Sequence, residues 1–104
     1  METRILGNTG IMVTPLCYGC AAAFARDLIS DAKAIQLFNT AYNLGIRFFD
    51  TGHSYGKAEQ RIGIALGANQ IKREDIVIST KCGSRIVRGR LSENLDRSQL
   101  LLRR

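Results

Sequence analysis

The chain has 104 residues, 45% of them hydrophobic, with one proline and no tryptophan, which is the composition and length of one small globular domain. Its 15 lysines and arginines outnumber its 9 aspartates and glutamates and give a net charge of +6. No apolar run approaches the roughly 18 residues that a membrane helix needs. The first residues also lack the apolar core of a signal peptide, so we expect a cytoplasmic protein without a membrane partner.

The predicted elements alternate between strands and helices after an opening hairpin. Two short apolar runs in residues 4–13 flank a glycine-rich turn and predict that hairpin. Ser30 is suited to cap a helix, and Gly45 is suited to end it. The remaining predicted elements are a strand at 16–20, a helix from Ser30 to about 44, a strand at 46–50, a helix at about 57–66, a strand at 76–81, and a helix that begins near Ser92 with Leu95, Leu101 and Leu102 apolar.

The predicted strand ends are evenly spaced. They fall at Cys20, Asp50 and Lys81, which are 30 and 31 residues apart. This spacing matches the length of a βαβ unit, about 30 residues or more. The sequence therefore predicts α/β architecture in which three parallel strands are neighbours, connected by right-handed crossovers.

Polar side chains stand where parallel strands end, and active sites of α/β proteins form at such ends. Alternation of side chains allows Asp50 and Lys81 to meet if both point into one interior. Tyr55 follows Asp50 closely, and an ammonium beside a phenol favours the phenolate and makes the phenol a stronger acid. Such a group suits carbonyl reduction, in which it protonates the oxygen. The alternatives are a structural ion pair and a tyrosine that serves only packing.

Two cysteines have a spacing found in redox and zinc sites. Cys17 and Cys20 form a C-x-x-C motif. On a strand, however, residues three apart point to opposite faces, and no second pair completes a zinc site. We therefore expect small buried residues here and no metal site.

Positive charge is concentrated late in the chain. From Lys81 onward, one lysine and six arginines oppose two acidic residues, which leaves +5 of the net +6. A phosphate or nucleic-acid site would have this composition. A solvated helix and loop would have it more often, and no aromatic residue follows Tyr55 to stack on bases. We expect no nucleic-acid partner.

Four segments resemble the aldo-keto reductase family, and together they span essentially the whole chain. FDTGHSYGKAE, with GIRF before it and RIGIALG after it, resembles the family signature. REDIVISTKCG resembles the third barrel strand with its catalytic lysine. RILGNTGIMVTPLCYGC resembles the opening hairpin and first strand, and SENLDRSQLLLRR resembles the start of the third helix.

The resemblance implies a (β/α)8 TIM barrel whose N-terminal hairpin closes its bottom. Members reduce small aldehydes and ketones with NADPH or oxidise alcohols with NADP+. It implies that Tyr55 is the general acid, that Lys81 strengthens that acid, and that Asp50 pairs with Lys81 near the nicotinamide. Gly19 and Cys20 match a segment that lines the nicotinamide site, although threonine is common where Cys20 stands.

The resemblance also implies residues that follow position 104 in the family. The fourth catalytic residue is a histidine at the end of the fourth strand, and the cofactor phosphates are held mostly by later strands. His53 lies in the variable loop of the signature. It is either a substitute for that histidine or, as is more common in such a loop, a substrate-side or solvent-exposed residue.

A complete barrel takes about 250 residues, and this chain holds three βα units. We therefore expect residues 1–104 to be the N-terminal part of a single aldo-keto reductase barrel domain, an incomplete barrel that is inactive alone. The alternative is a non-catalytic truncated fragment. Its exposed sheet edges would then promote self-association or docking on another chain.

Overall fold

The computed structural model describes residues 1–82 and, for the backbone alone, residues 84–87 and 90–93. Neither of the helices formed by these residues is long and apolar enough to cross a bilayer. Single 3-10 turns occupy Ala22–Ala25 and Arg73–Asp75. The strands and helices, in chain order, are β1 (Arg4–Ile5), β2 (Met12–Val13), β3 (Cys17–Gly19), α1 (Asp31–Asn43), β4 (Phe48–Asp50), α2 (Ala58–Ala68), β5 (Val77–Ser79), β6 (Ser84–Val87) and β7 (Arg90–Glu93).

The predicted opening hairpin is confirmed, since β1 and β2 pair antiparallel. The central sheet has three strands in the order β3-β4-β5, and both pairings are parallel. Helices α1 and α2 provide the two crossovers that parallel neighbours require. The register places Gly19, Asp50 and Ser79 side by side in the last row of the sheet. The predicted succession of βα units is therefore confirmed, with shorter strands than the sequence indicated.

Helix α1 begins and ends where its sequence predicts. The Ser30 hydroxyl accepts a hydrogen bond of 3.1 Å from the Lys33 amide, and Asp31 stands in the first turn, where the helix dipole favours a negative charge. After the last turn, Gly45 takes a left-handed backbone with φ of 101°. Glycine adopts this conformation without steric cost, which lets the chain leave the helix and enter β4 directly.

The core lies between the sheet and the helices. On one sheet face, the side chains of the middle row pack toward the helices, and Phe49 is fully buried there. Its ring stacks on Phe38 of α1 with the centroids 4.3 Å apart, and burial of each such ring contributes about 1.5–3 kcal/mol. The opposite face carries Cys17, Phe48 and Val77 and is partly open. In a closed barrel this second face would line the interior.

The prediction of a helix that begins near Ser92 is wrong at its start. Ser92 lies in β7 and pairs with Arg85 in an antiparallel hairpin of β6 and β7. Leu95, Leu101 and Leu102 lie outside the described residues.

Candidate active site

Three polar side chains meet beyond the C-terminal end of the sheet. Lys81 Nζ donates to Asp50 Oδ2 at 2.7 Å and to the carbonyl oxygen of Thr51 at 2.9 Å. The same ammonium lies 4.7 Å from the centroid of the Tyr55 ring. The structure therefore brings together the three residues that the sequence singled out, with Lys81 at the centre.

Backbone hydrogen bonds beyond the strands hold this arrangement in place. The Cys20 amide donates to the Asp50 carbonyl and the Thr51 amide donates to the Ser79 carbonyl, both at 2.8 Å. Parallel pairing thus continues past the last row of the sheet on both sides of β4. Lys81 stands two residues beyond Ser79, so its long side chain can reach back to the Asp50 carboxylate.

The carboxylate stabilises the charged form of the lysine. The hydrogen bond to Asp50 raises the pKa of Lys81, partial desolvation opposes that rise, and the nearby Tyr55 side chain adds to it. Lys81 and Asp50 keep 42% and 37% of their side chains exposed, so water screens their attraction. The pair is better suited to orient and hold a charge at this position than to stabilise the fold.

Two glycines let the Tyr55 loop take its shape. A Cβ added at Gly52 would lie 3.3 Å from the Tyr55 ring and 3.5 Å from Lys81 Cδ, so glycine permits the close approach of ring and lysine. Gly56 has φ of +47°, and a Cβ there would lie 2.3 Å from the carbonyl oxygen of Ala25. That carbonyl also accepts from the Lys57 amide at 2.9 Å. The loop after β4 therefore rests directly on the loop after β3.

A pocket of about 400 Å³ opens between these two loops. Small side chains form most of its wall, and Tyr55 lies on one side. Such a cleft beside a candidate proton donor is where a small substrate could sit. The lining residues are Ala21, Ala22, Ala25, Arg26, Ser54, Tyr55 and Gly56.

Sequence reasoning missed Arg61, which holds one wall of this pocket. Its side chain is only 1% exposed, and it donates to Asp31 Oδ1 at 2.9 Å. It also donates to three backbone carbonyls of the loop after β3, at 2.8–2.9 Å, those of Phe24, Arg26 and Ile29. A signal was available, because Arg61 is three residues after Ala58 and four before Ala65, on the buried face of α2.

The two residues matched to the nicotinamide site differ in placement. Gly19 is exposed at the end of β3, and the space beside its Cα is open, so its backbone fits a flat ring laid against the strand ends. Cys20 is fully buried in the core, and burial raises the pKa of its thiol to about 12. Its side chain therefore faces away from the site. Cys17 is exposed, which differs from the expectation that both cysteines are buried.

His53 lies against the strand that supplies the lysine. Its Nδ1 is 3.0 Å from the carbonyl oxygen of Lys81, and a carbonyl can only accept, so this nitrogen carries the proton. Its Nε2 is buried and has no hydrogen-bond partner among residues 1–82. The imidazole thus joins the loop after β4 to the segment that follows β5.

The sequence also indicated a concentration of positive charge from Lys81 onward. The side chains of its arginines lie outside the described residues.

These features are those of α/β barrels that carry their chemistry at the C-terminal strand ends. The model of the aldo/keto reductase family matches residues 15–103. L-galactose dehydrogenase of Arabidopsis thaliana is 34% identical over 96% of this chain and 35% of its own length. An aldo-keto reductase structure from Pseudomonas aeruginosa is 37% identical, with a TM-score of 0.77 over 92% of this chain and 39% of that one. The holo form of a Bacillus halodurans aldo-keto reductase is 30% identical, with a TM-score of 0.77, and the match covers 98% of this chain and 33% of that one.

The chain belongs to the aldo/keto reductase family. The family consists of oxidoreductases that generally use NAD(P)H, and its fold is the TIM barrel. This chain contains an incomplete barrel and spans about a third of the length of the curated relative that it matches over 96% of its residues.

Proposed function

We propose that residues 1–104 form the N-terminal part of one barrel domain of an NADPH-dependent aldo-keto reductase and are inactive without the rest of the barrel. The observation that carries the proposal is the contact of Lys81 with Asp50 and with the ring of Tyr55 at the strand ends. Family membership supports it. The substrates would be small aldehydes and ketones or, in the reverse direction, alcohols.

Each residue of the cluster has a distinct task in this proposal. When bound, NADPH supplies the hydride that reduces the carbonyl carbon. Tyr55 gives its phenol proton to the carbonyl oxygen, and Lys81 stabilises the phenolate that remains. Asp50 keeps the lysine charged and oriented through the bond of 2.7 Å. The exposed backbone of Gly19 and the Asp50 carboxylate would hold the nicotinamide, and the buried thiol of Cys20 would take no direct part.

The test is Tyr55→Phe in the complete protein that contains these residues. A positioned general acid contributes about 10²–10⁴ to a rate, so kcat for carbonyl-dependent NADPH oxidation should fall at least about 100-fold. Tyr42→Phe is the matched control, because Tyr42 belongs to α1 and its ring is covered by Arg47, 3.6 Å from the centroid. Binding of NADPH, followed by its fluorescence, should be retained in both variants. Undiminished turnover in Tyr55→Phe would remove the role assigned to the phenol.

A second candidate function is association of this chain with itself or with another chain. Within the described residues, β3 and β5 each pair on one side only, so the sheet has two open edges. Large hydrophobic side chains of the opening hairpin are also exposed, among them Ile5 and Met12. Exposed edges and apolar patches promote association. Sedimentation of the 104-residue chain as a compact monomer at all concentrations would contradict this candidate.

A further inference from the structure

The pocket beside Tyr55 has one charged residue in its wall. That residue is Arg26, and the other residues that line the pocket are small or neutral. None of the described residues that line the pocket is acidic. A substrate in this pocket therefore meets a cation without a carboxylate of the wall to offset it.

Three aspartates of this region are already engaged by other cations. Asp27 binds Lys57 Nζ at 2.6 Å, and that bond lowers the pKa of the Asp27 carboxyl. Asp31 is engaged by Arg61, as described above, and Asp50 by Lys81. Arg26, by contrast, forms no ion pair with any residue from 1 to 82. Its guanidinium is therefore a positive charge at the pocket that no acidic side chain of residues 1–82 pairs with.

The backbone that carries Arg26 is fixed from two sides. The Arg26 amide donates to the Ala23 carbonyl at 3.3 Å, and the Arg26 carbonyl accepts from Arg61 Nη1 at 2.8 Å. The preceding residue, Ala25, is held by the Lys57 amide. A backbone held in this way anchors the base of the side chain at the pocket, and the exposed side chain itself has still to be ordered when a ligand binds.

We propose that the substrates of this site are carbonyl compounds that carry a carboxylate, which Arg26 binds while Tyr55 faces the carbonyl oxygen. This rests on the proposed function. Guanidinium groups pair with carboxylates through two parallel hydrogen bonds, which favours this partner over a neutral one. The carboxylate takes no part in the reaction: the carbonyl gains a hydride at carbon and a proton at oxygen, and NADPH becomes NADP+.

Two substrates that differ in charge and by one methyl group test the proposal in the complete protein. We expect the wild type to have a higher kcat/KM for succinic semialdehyde than for its methyl ester. The ratio of the two values should fall about tenfold or more in Arg26→Gln, because bonds to a charged group contribute about 1.5–3 kcal/mol, and further in Arg26→Glu. Arg73→Gln is the matched control, because Arg73 precedes β5, at the other end of the sheet. Its ratio should equal that of the wild type.

The outcomes separate this proposal from the function on which it rests. If both substrates are reduced in a Tyr55-dependent reaction but the ratio is the same in wild type and Arg26→Gln, the carboxylate proposal is overturned and the reductase function stands. If Arg26→Gln raises the KM for NADPH without changing the ratio of the two kcat/KM values, Arg26 binds a cofactor phosphate. That result also overturns the carboxylate proposal. If the wild type reduces neither of these two substrates but reduces other aldehydes in a Tyr55-dependent reaction, the carboxylate proposal is overturned; if it reduces no aldehyde or ketone, the proposed function fails as well.

Discussion

Replacement of Gly56 by alanine tests how the loop that carries Tyr55 is held. The new Cβ would lie 2.3 Å from the Ala25 carbonyl oxygen, about 1.1 Å closer than the shortest ordinary contact of 3.4 Å. The obstacle is backbone, not the end of a flexible side chain, so the two loops must separate. The backbone of Gly56 is also left-handed, which alanine adopts only at a cost.

The structure allows an estimate of the loss. A left-handed residue with a side chain costs about 1–2 kcal/mol, and forced overpacking costs about 1–3 kcal/mol. We therefore expect Gly56→Ala to lower the free energy of unfolding by about 2–5 kcal/mol, measured by urea denaturation followed by circular dichroism. Under the proposed function, carbonyl reduction by the complete protein should fall as well, since Tyr55 precedes the displaced residue.

Gly63→Ala is the matched control, because it is the same substitution with the opposite expected sign. Gly63 lies inside α2, is exposed, and would meet no atom within 4 Å. Alanine in a helix is more favourable than glycine by about 0.5–1 kcal/mol, so this variant should be more stable than the wild type. Equal stability of Gly56→Ala and wild type would refute the contact between the two loops.

Three further predictions concern buried or paired groups. Arg61→Met should lower the free energy of unfolding by about 3 kcal/mol or more, because it leaves a carboxylate and three carbonyls without their donor. Hydrogen exchange of the backbone amides should accelerate in the loop after β3 and not in the hairpin of β1 and β2. Because its pKa is raised in the fold, Lys81 contributes stability that is complete below pH about 10.5 and is lost at higher pH. The difference in urea midpoint between wild type and Lys81→Met should therefore shrink as the pH rises past that value, and a constant difference would contradict the pairing with Asp50. A maleimide should label Cys17 in the folded chain and reach Cys20 only after denaturation, as peptide mass spectrometry would reveal; rapid labelling of Cys20 would contradict its burial.

The βα units were predicted correctly because the residues that end each element and the spacing between strands indicated the same arrangement. Ser30 and Gly45 mark the ends of α1, and the even spacing of strand ends indicated parallel neighbours. The prediction failed where a local signal stood alone: Ser92 is a good helix cap, but its pairing with Arg85 places it in a strand. Strand bounds were also too long, and at the strand starts this is because the apolar residues Leu16, Ile46 and Ile76 lie in the preceding connections.

The sequence predicted those residues of the candidate site that lie at or just after the ends of parallel strands. Asp50, Tyr55 and Lys81 lie together because register fixes where parallel strands stop. Both cysteines of the C-x-x-C motif were expected to be buried, which is confirmed for Cys20 and wrong for Cys17, whose side chain lies on the partly open face of the sheet. Arg61 was missed because its four partners are mostly backbone atoms distant in the sequence, and carbonyl acceptors leave no residue-type signature.

The parallel sheet also has a consequence for synthesis on the ribosome. Asp50 is made 31 residues before Lys81, its partner. At about 5–20 residues per second, that is an interval of about 2–6 s. During this time β4 can pair with β3 but not with β5, and the Asp50 carboxylate lacks the lysine that later pairs with it. A two-stranded sheet with an open edge is therefore the most that can form in this interval, and a chaperone that shields that edge would act before the site can assemble.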